Sequence, residues 1–279
     1  MLTLILAATL TLPPQKSDAT IGVAAIHLET GRRVGVRETE RFPMGSVYKF
    51  PIALALLKRV DSGLLRLDRQ VTIHPKEFAP GWSPLRDEAA GRPVTRTVGE
   101  LLELMVSMSD NTASDALLKL TGGPVSVTTR MAELNASAVR IDRSETQIHR
   151  ELDAPDGVAR YTRDVRDTAT PAAMAELLAT FWKKRDGLSP ASHDLLLRHL
   201  TDSPTGARKL RAGAPRGWTV AHKSGMMPAT SNDVGILTSP DGRTHIAIAI
   251  FAKGATSDYP TIDADVAAIT RAVVEALAP

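Results

Sequence analysis

Three short runs hold the residues best suited to chemistry. In Ser46-Val47-Tyr48-Lys49 a hydroxyl and an amine stand three positions apart, on one face of a helical turn. A serine hydroxyl attacks poorly until a neighbouring base takes its proton. A lysine buried near other cations gives up its own proton more readily and so can act as that base. The start of a helix adds free N–H groups and partial positive charge for a developing oxyanion. The second run is Ser109-Asp110-Asn111 and the third is Lys223-Ser224-Gly225. Each has an ordinary structural reading when taken alone. Ser, Asp and Asn cap helices and turns, a lysine in a first turn is common, and a glycine ends many strands. Each run occurs once, and coincidence of all three in this order is far less probable than any one alone.

The elements around these runs explain how they could meet. Residues 21–28 and 33–38 read as short strands joined by a turn at Glu29-Thr30-Gly31-Arg32. From Ser46 the apolar spacing is helical. Thr97-Val98-Gly99-Glu100 has the form of a capping box, and a helix over residues 112–120 stops at Gly122-Gly123. Thr170-Pro171 and Ser189-Pro190 open two more helices. Residues 218–225, 232–239 and 244–252 return to strand patterns, and a last helix covers about 261–277. Sequential hairpins favour an antiparallel sheet, completed by the N-terminal strands, with the helical middle as a separate lobe.

Composition removes several alternatives. The 279 residues include no cysteine, which excludes disulfides, thiol nucleophiles, iron–sulfur clusters and cysteine-ligated zinc. The seven histidines form no HExxH, and there is no P-loop, GxGxxG or GxSxG. A net charge of +3 is a weak field over this length, and no Lys/Arg block interleaves with aromatics, so a nucleic-acid partner is not expected. Leu2 to Leu12 is an uncharged, mostly apolar run, too short for a membrane helix. It suits a secretory signal over residues 1–19, with Ser17-Asp18-Ala19 at the cleavage point and a periplasmic or secreted product. The missing Lys or Arg before the run leaves a buried N-terminal element as the alternative.

The three motifs together make the chain resemble a class A serine β-lactamase, of the penicillin-recognising serine enzymes. The text around them agrees: RFPMGSVYKFPIALALL, VSMSDNTASDALL and TATPAAMAELL. The resemblance runs from about residue 20 to the end. It implies a two-domain α/β fold, a five-stranded antiparallel sheet flanked by helices plus an all-α domain. Residues 20–44 with 198–279 would form the α/β domain and 45–197 the all-α domain. An Ω loop at about 143–168 would belong to the latter, with the active site in the cleft between the domains.

Roles follow from the same resemblance. Ser46 is the expected nucleophile, and Lys49, or Glu145 acting through water, takes its proton. Ser109 relays a proton to the leaving nitrogen, and Asn111 holds the acylamide carbonyl. Lys223 and Ser224, followed by Gly225, bind the substrate carboxylate. The Ser46 and Met226 N–H groups form the oxyanion hole, and Glu145 activates the deacylating water. Arg143 and Asp167 pair at the neck of the Ω loop. No metal or organic cofactor is implied, the partner is a small β-lactam, and a monomer is expected.

Departures from the family pattern stand out. His149 replaces the usual Asn; neutral His both donates and accepts while protonated His only donates, so deacylation should weaken in acid. A loop-packing His is the other reading. Glu145 to Asp167 spans 22 positions (167 − 145), longer than the usual Ω loop. Trp82 stands where a cleft-edge aromatic often does, though a core Trp fits as well. Many family members have an Arg near the carboxylate site; Asn232 and Lys209 fall at its two positions here, and Lys lacks the bidentate fork of Arg, so a second carboxylate anchor is left open. Removing residues 1–19 leaves no room for the family's first helix. A D,D-peptidase-like penicillin-binding protein, which Glu145 argues against, and a slowly deacylating β-lactam sensor are the competing functions.

Overall fold

A computed structural model describes residues 8–278. The chain opens with β1 (Ala8–Thr9), β2 (Thr20–His27), β3 (Arg33–Val36) and β4 (Phe42–Pro43). A 3-10 turn over Gly45–Tyr48 leads into α1 (Lys49–Asp61). Next come β5 (Gln70–Ile73), α2 (Pro84–Ala89), β6 (Val94–Thr97), α3 (Val98–Val106), α4 (Asn111–Leu120) and α5 (Pro124–Glu133). The path continues through α6 (Glu145–Leu152), α7 (Gly157–Arg163), β7 (Thr168–Ala169), α8 (Pro171–Trp182), α9 (Pro190–Thr201) and α10 (Leu210–Gly213). It ends with β8 (Thr219–Met227), β9 (Thr230–Thr238), β10 (His245–Lys253) and α11 (Tyr259–Leu277).

The main sheet has the order β1-β3-β2-β10-β9-β8. Its last five strands are antiparallel, and the N-terminal hairpin docks beside β10, as the strand patterns predict. Alternate residues of the central strands feed two separate cores. Ala24, Ile26, Ala247, Ala249 and Phe251 face the helical lobe. Ile21, Val23, Ala25, Ile246, Ile248 and Ile250 pack with Ile262, Val266, Ile269 and Val273 of α11. Both faces are covered, so β2 and β10 read as nearly continuous apolar runs.

In the helical lobe α1 is buried from Lys49 to Leu57, which fixes the lysine's backbone deep in the molecule. The expected caps form: Thr97 and Glu100 make a reciprocal capping box, and Thr170 and Ser189 cap α8 and α9. Gly122 and Gly123 stop α4 with φ of +96° and +87°, values that favour glycine.

The structure places Ser46 differently from the sequence reading. Ser46 lies in the 3-10 turn, one turn ahead of α1. Residues 1–7 of the expected export segment lie outside the described residues. The remainder, residues 8–19, packs on the sheet and α11. β1 pairs parallel with β3, Leu10 is buried in the α11 core, and the Lys16 and Ser17 N–H groups donate to Asp265. Among the described residues, no helix is long and apolar enough to cross a membrane.

Candidate active site

Lys49 organises the centre. Its ammonium donates to Ser46 Oγ at 3.0 Å, to the Ser109 carbonyl at 2.7 Å and to Asn111 Oδ1 at 2.7 Å. Two of these partners are carbonyl oxygens, which only accept. They hold two N–H bonds in place, so the third valence of the nitrogen faces Ser46 Oγ. That valence carries a proton in the ammonium and a lone pair in the amine. The side chain is 0% exposed, shielded from bulk solvent.

The second motif divides its labour. Asp110 caps α4, accepting from Ala113 N at 2.8 Å, and also accepts from Leu85 N at 2.7 Å. Ser109 sits just before the cap with φ of +60°, in the left-handed region. This turn sends the Ser109 carbonyl to Lys49 while its hydroxyl receives the Lys223 ammonium at 2.9 Å. Asn111 gives its oxygen to Lys49 and its amide nitrogen to the Pro80 carbonyl at 2.9 Å.

Lys223 approaches from β8 and is also fully buried. Burial, reinforced by the neighbouring Lys49 charge, holds its ammonium well below the ordinary lysine range. Gly225 permits the approach. A methyl group there would lie 2.5 Å from the Met44 carbonyl oxygen, 2.9 Å from Val47 N and 3.1 Å from Ser46 N. Without it, β8 lies directly against the serine turn, and Met226 follows on an edge strand that leaves alternate N–H groups outside the ladder.

Glu145 enters as the first residue of α6, 2% exposed, with Oε1 3.1 Å from Lys49 Nζ. The pair is close but not aligned as a hydrogen bond, and Oε1 has no hydrogen-bond partner. Three contacts hold this helix start. Ser144 and Gln147 form a capping box. Asp115 of α4 accepts from Glu145 N at 2.7 Å and from Thr146 N at 3.0 Å. At the neck Arg143 Nε donates to Asp167 Oδ2 at 2.6 Å, joining the two residues expected to pair there. Burial pushes the Asp115 carboxyl up from its usual value, with the Glu145 charge adding to the effect. Asp115 was not legible as a functional residue, because its role is a contact across two elements; Ser144-x-x-Gln147 was the available local signal.

A cleft of about 470 Å³ gathers Ser46, Ser109, Asn111, Glu145, Ser224 and Met226. Trp82 and His149 line it too. Trp82 is 61% exposed, with its indole N–H on the Met108 carbonyl, and is a rim residue rather than a core one. Met226 is 51% exposed on the same cleft. His149 places Nδ1 2.9 Å from the Glu145 carbonyl and 3.7 Å from Glu145 Oε2, so its close contact is to the backbone of Glu145. A side chain at Gly81 would strike it, since a Cβ there would come within 2.5 Å of His149 Nε2.

Asn232 and Lys209, between which the sequence leaves a second carboxylate anchor undecided, are both engaged within the fold. The Asn232 amide donates to the Pro43 and Met44 carbonyls at 2.8 and 2.9 Å, and its oxygen accepts from Ala252 N. Lys209 is 3% exposed and donates to the Asn232 carbonyl at 3.2 Å. Both staple strands together. A larger cavity of about 830 Å³, under the Ω excursion between α6 and α7, holds none of the three motifs. Its Arg143 and Arg166 are already paired with Glu151 and Asp164.

The Beta-lactamase enzyme family matches residues 5–277 of the sequence. The chain belongs to this family. The Pseudomonas aeruginosa β-lactamase VEB-1 is 33% identical over 91% of this chain and 85% of its own. The Nocardia asteroides β-lactamase AST-1 is 34% identical over 94% of this chain and 80% of its own. An ancestral (GNCA) class A β-lactamase superposes with a TM-score of 0.83 at 38% identity, covering 94% of this chain and 95% of that one. The protein is a class A serine β-lactamase, with the antiparallel sheet and helical lobe of that fold.

Proposed function

We propose that Ser46 opens the β-lactam ring by attacking its carbonyl while Lys49, or Glu145 through a water, accepts the hydroxyl proton. The N–H groups of Ser46 and Met226 would stabilise the oxyanion. As the C–N bond breaks, Ser109 passes its hydroxyl proton to the ring nitrogen and receives in its place the proton that the base took from Ser46, which leaves the base free again. Asn111 holds the substrate's acylamide carbonyl, and Lys223 with Ser224 holds its carboxylate. Glu145 then takes a proton from water, the water attacks the ester, and Ser46 recovers its proton as the C–O bond breaks. His149 keeps the backbone of Glu145 in register, and Trp82 and Met226 flank the acyl side chain.

The observation that carries this reading is the single buried ammonium shared by Ser46 Oγ, Asn111 Oδ1 and Glu145. The two candidate bases are adjacent, with Glu145 Oε1 3.1 Å from Lys49 Nζ. The test is turnover and intact mass with benzylpenicillin. Wild type should turn over, Ser46→Ala should neither turn over nor gain mass, and Glu145→Ala should carry a penicilloyl adduct. A stable adduct on wild type would instead favour a binding or sensing protein.

The active-site cleft would lie between an α/β lobe of residues 20–44 and 198–279 and a helical lobe of residues 45–197. The protein would act as a monomer outside the cytoplasm, supported by the apolar run Leu2–Leu12. Size-exclusion mass and the mass of the protein from a periplasmic fraction test these two points.

A further inference from the structure

The carboxylate end of the cleft continues into the protein as a chain of hydroxyl groups. Ser224 Oγ donates to Thr205 Oγ1 at 3.1 Å. Thr205 Oγ1 lies 2.9 Å from Ser203 Oγ, and Ser203 Oγ donates to the Ser107 carbonyl at 2.9 Å. Thr205 and Ser224 line the cleft, whereas Ser203 is completely buried behind them.

Hydrogen-bond accounting sets the direction of this chain. A carbonyl oxygen only accepts, and each hydroxyl owns one hydrogen. The Ser203 hydrogen is committed to Ser107, so Thr205 must be the donor to Ser203. Ser224 is then the donor to Thr205. All three hydrogens point away from the cleft, and Ser224 turns lone pairs toward it. An anionic carboxylate needs the opposite polarity. To bind one, Ser224 has to withdraw its hydrogen from the chain, and Thr205 cannot add a second donor while Ser203 holds its hydrogen.

We propose that Ser203, anchored on the Ser107 carbonyl, is a positioning residue that sets the hydrogen-bond polarity of the Thr205–Ser224 pair and thereby the affinity for the substrate carboxylate. This rests on the reading of Ser224 as a carboxylate contact. Ser203 touches no substrate, and its influence passes entirely through Thr205.

The test is the Kd of benzylpenicillin, by calorimetry, in a Ser46→Ala background that cannot acylate. Adding Ser203→Ala frees the Thr205 hydrogen for the carboxylate and should tighten binding about three- to tenfold, the worth of one hydroxyl donor. In a Thr205→Val background the same change should do nothing, because no hydroxyl remains to be released. Ser203→Cys keeps the volume with a weaker donor and should shift Kd in the same direction by less, which covers poor folding of the alanine variant. An unchanged or weaker Kd in properly folded Ser203→Ala and Ser203→Cys overturns the proposal, as does equal tightening with Val at position 205. If the Ser46→Ala parent itself fails to bind penicillin, the carboxylate-site reading falls first and this inference with it.

Discussion

Lys223 concentrates the electrostatics of the site in one group. Burial and the Lys49 charge depress its ammonium, so in the free enzyme that positive charge is lost at a lower pH than for an exposed lysine. An anionic substrate favours the protonated form. The alkaline fall of kcat/KM should therefore begin below the ordinary lysine range. Lys223→Arg, whose guanidinium keeps its proton, should move that fall to higher pH even though its different reach lowers the rate. A pH profile of kcat/KM for the two proteins checks this, and coincident alkaline limbs would assign the fall to another group. His149 poses a second question at this scale. Its Nδ1 faces the carbonyl of Glu145, so the neutral ring donates there and keeps Nε2 as an acceptor. His149→Ala removes both the donor and the acceptor, so it should slow deacylation. An unchanged deacylation rate would leave His149 a packing residue.

Among the elements, the contact of β8 with the serine turn is the most demanding. The atoms around Gly225 are backbone, which cannot rotate out of the way of a methyl group. Gly225→Ala should lower kcat/KM at least about a hundredfold, the scale of losing one oxyanion donor. Its far-UV circular dichroism should stay native, and retained activity would show that the strand can shift without harm. Asp115→Asn tests the other support. One amide oxygen cannot replace a carboxylate that accepts from Glu145 N, Thr146 N and Thr146 Oγ1, so a donor is left unpaired at a stability loss of about 1–3 kcal/mol. Urea unfolding measures the loss, and hydrogen exchange should place the opening at α6. These two cases also show what was legible in the sequence. Strands, helix starts and the three motifs are local patterns, and the sequence places them within a few residues of where they lie. Asp115, Ser203 and the stapling role of Asn232 depend on which residue lies opposite across the fold. The position of Asn232 in the chain left its role open, and its amide is used by the Pro43 and Met44 carbonyls.

At the scale of the whole molecule the N-terminal segment and α11 close the sheet from one side. Asp18 accepts from the N–H and hydroxyl groups of both Thr256 and Ser257, at the approach to α11. These hydrogen bonds, led by those from the Thr256 and Ser257 side chains, hold the Asp18 carboxyl far below its usual value. A depressed carboxyl stabilises the fold above the unfolded pKa, and the contribution is lost as pH falls through the folded value. Asp18→Ala should therefore lower Tm at neutral pH, and the gap to wild type should narrow in acid. Deleting residues 1–19 should do more. It also removes Leu10 and Leu12 from the α11 core and strips Asp265, 2% exposed, of the Lys16 and Ser17 N–H groups. Losing this apolar contact and these hydrogen bonds together with those of Asp18 should make the truncated chain melt well below Asp18→Ala at neutral pH. Melting curves for the full chain, Asp18→Ala and a chain starting at Thr20, taken at neutral and acid pH, decide the matter. Equal Tm for all three would show that the segment rests on the surface without supporting it, which is what a leader removed after Ala19 would do.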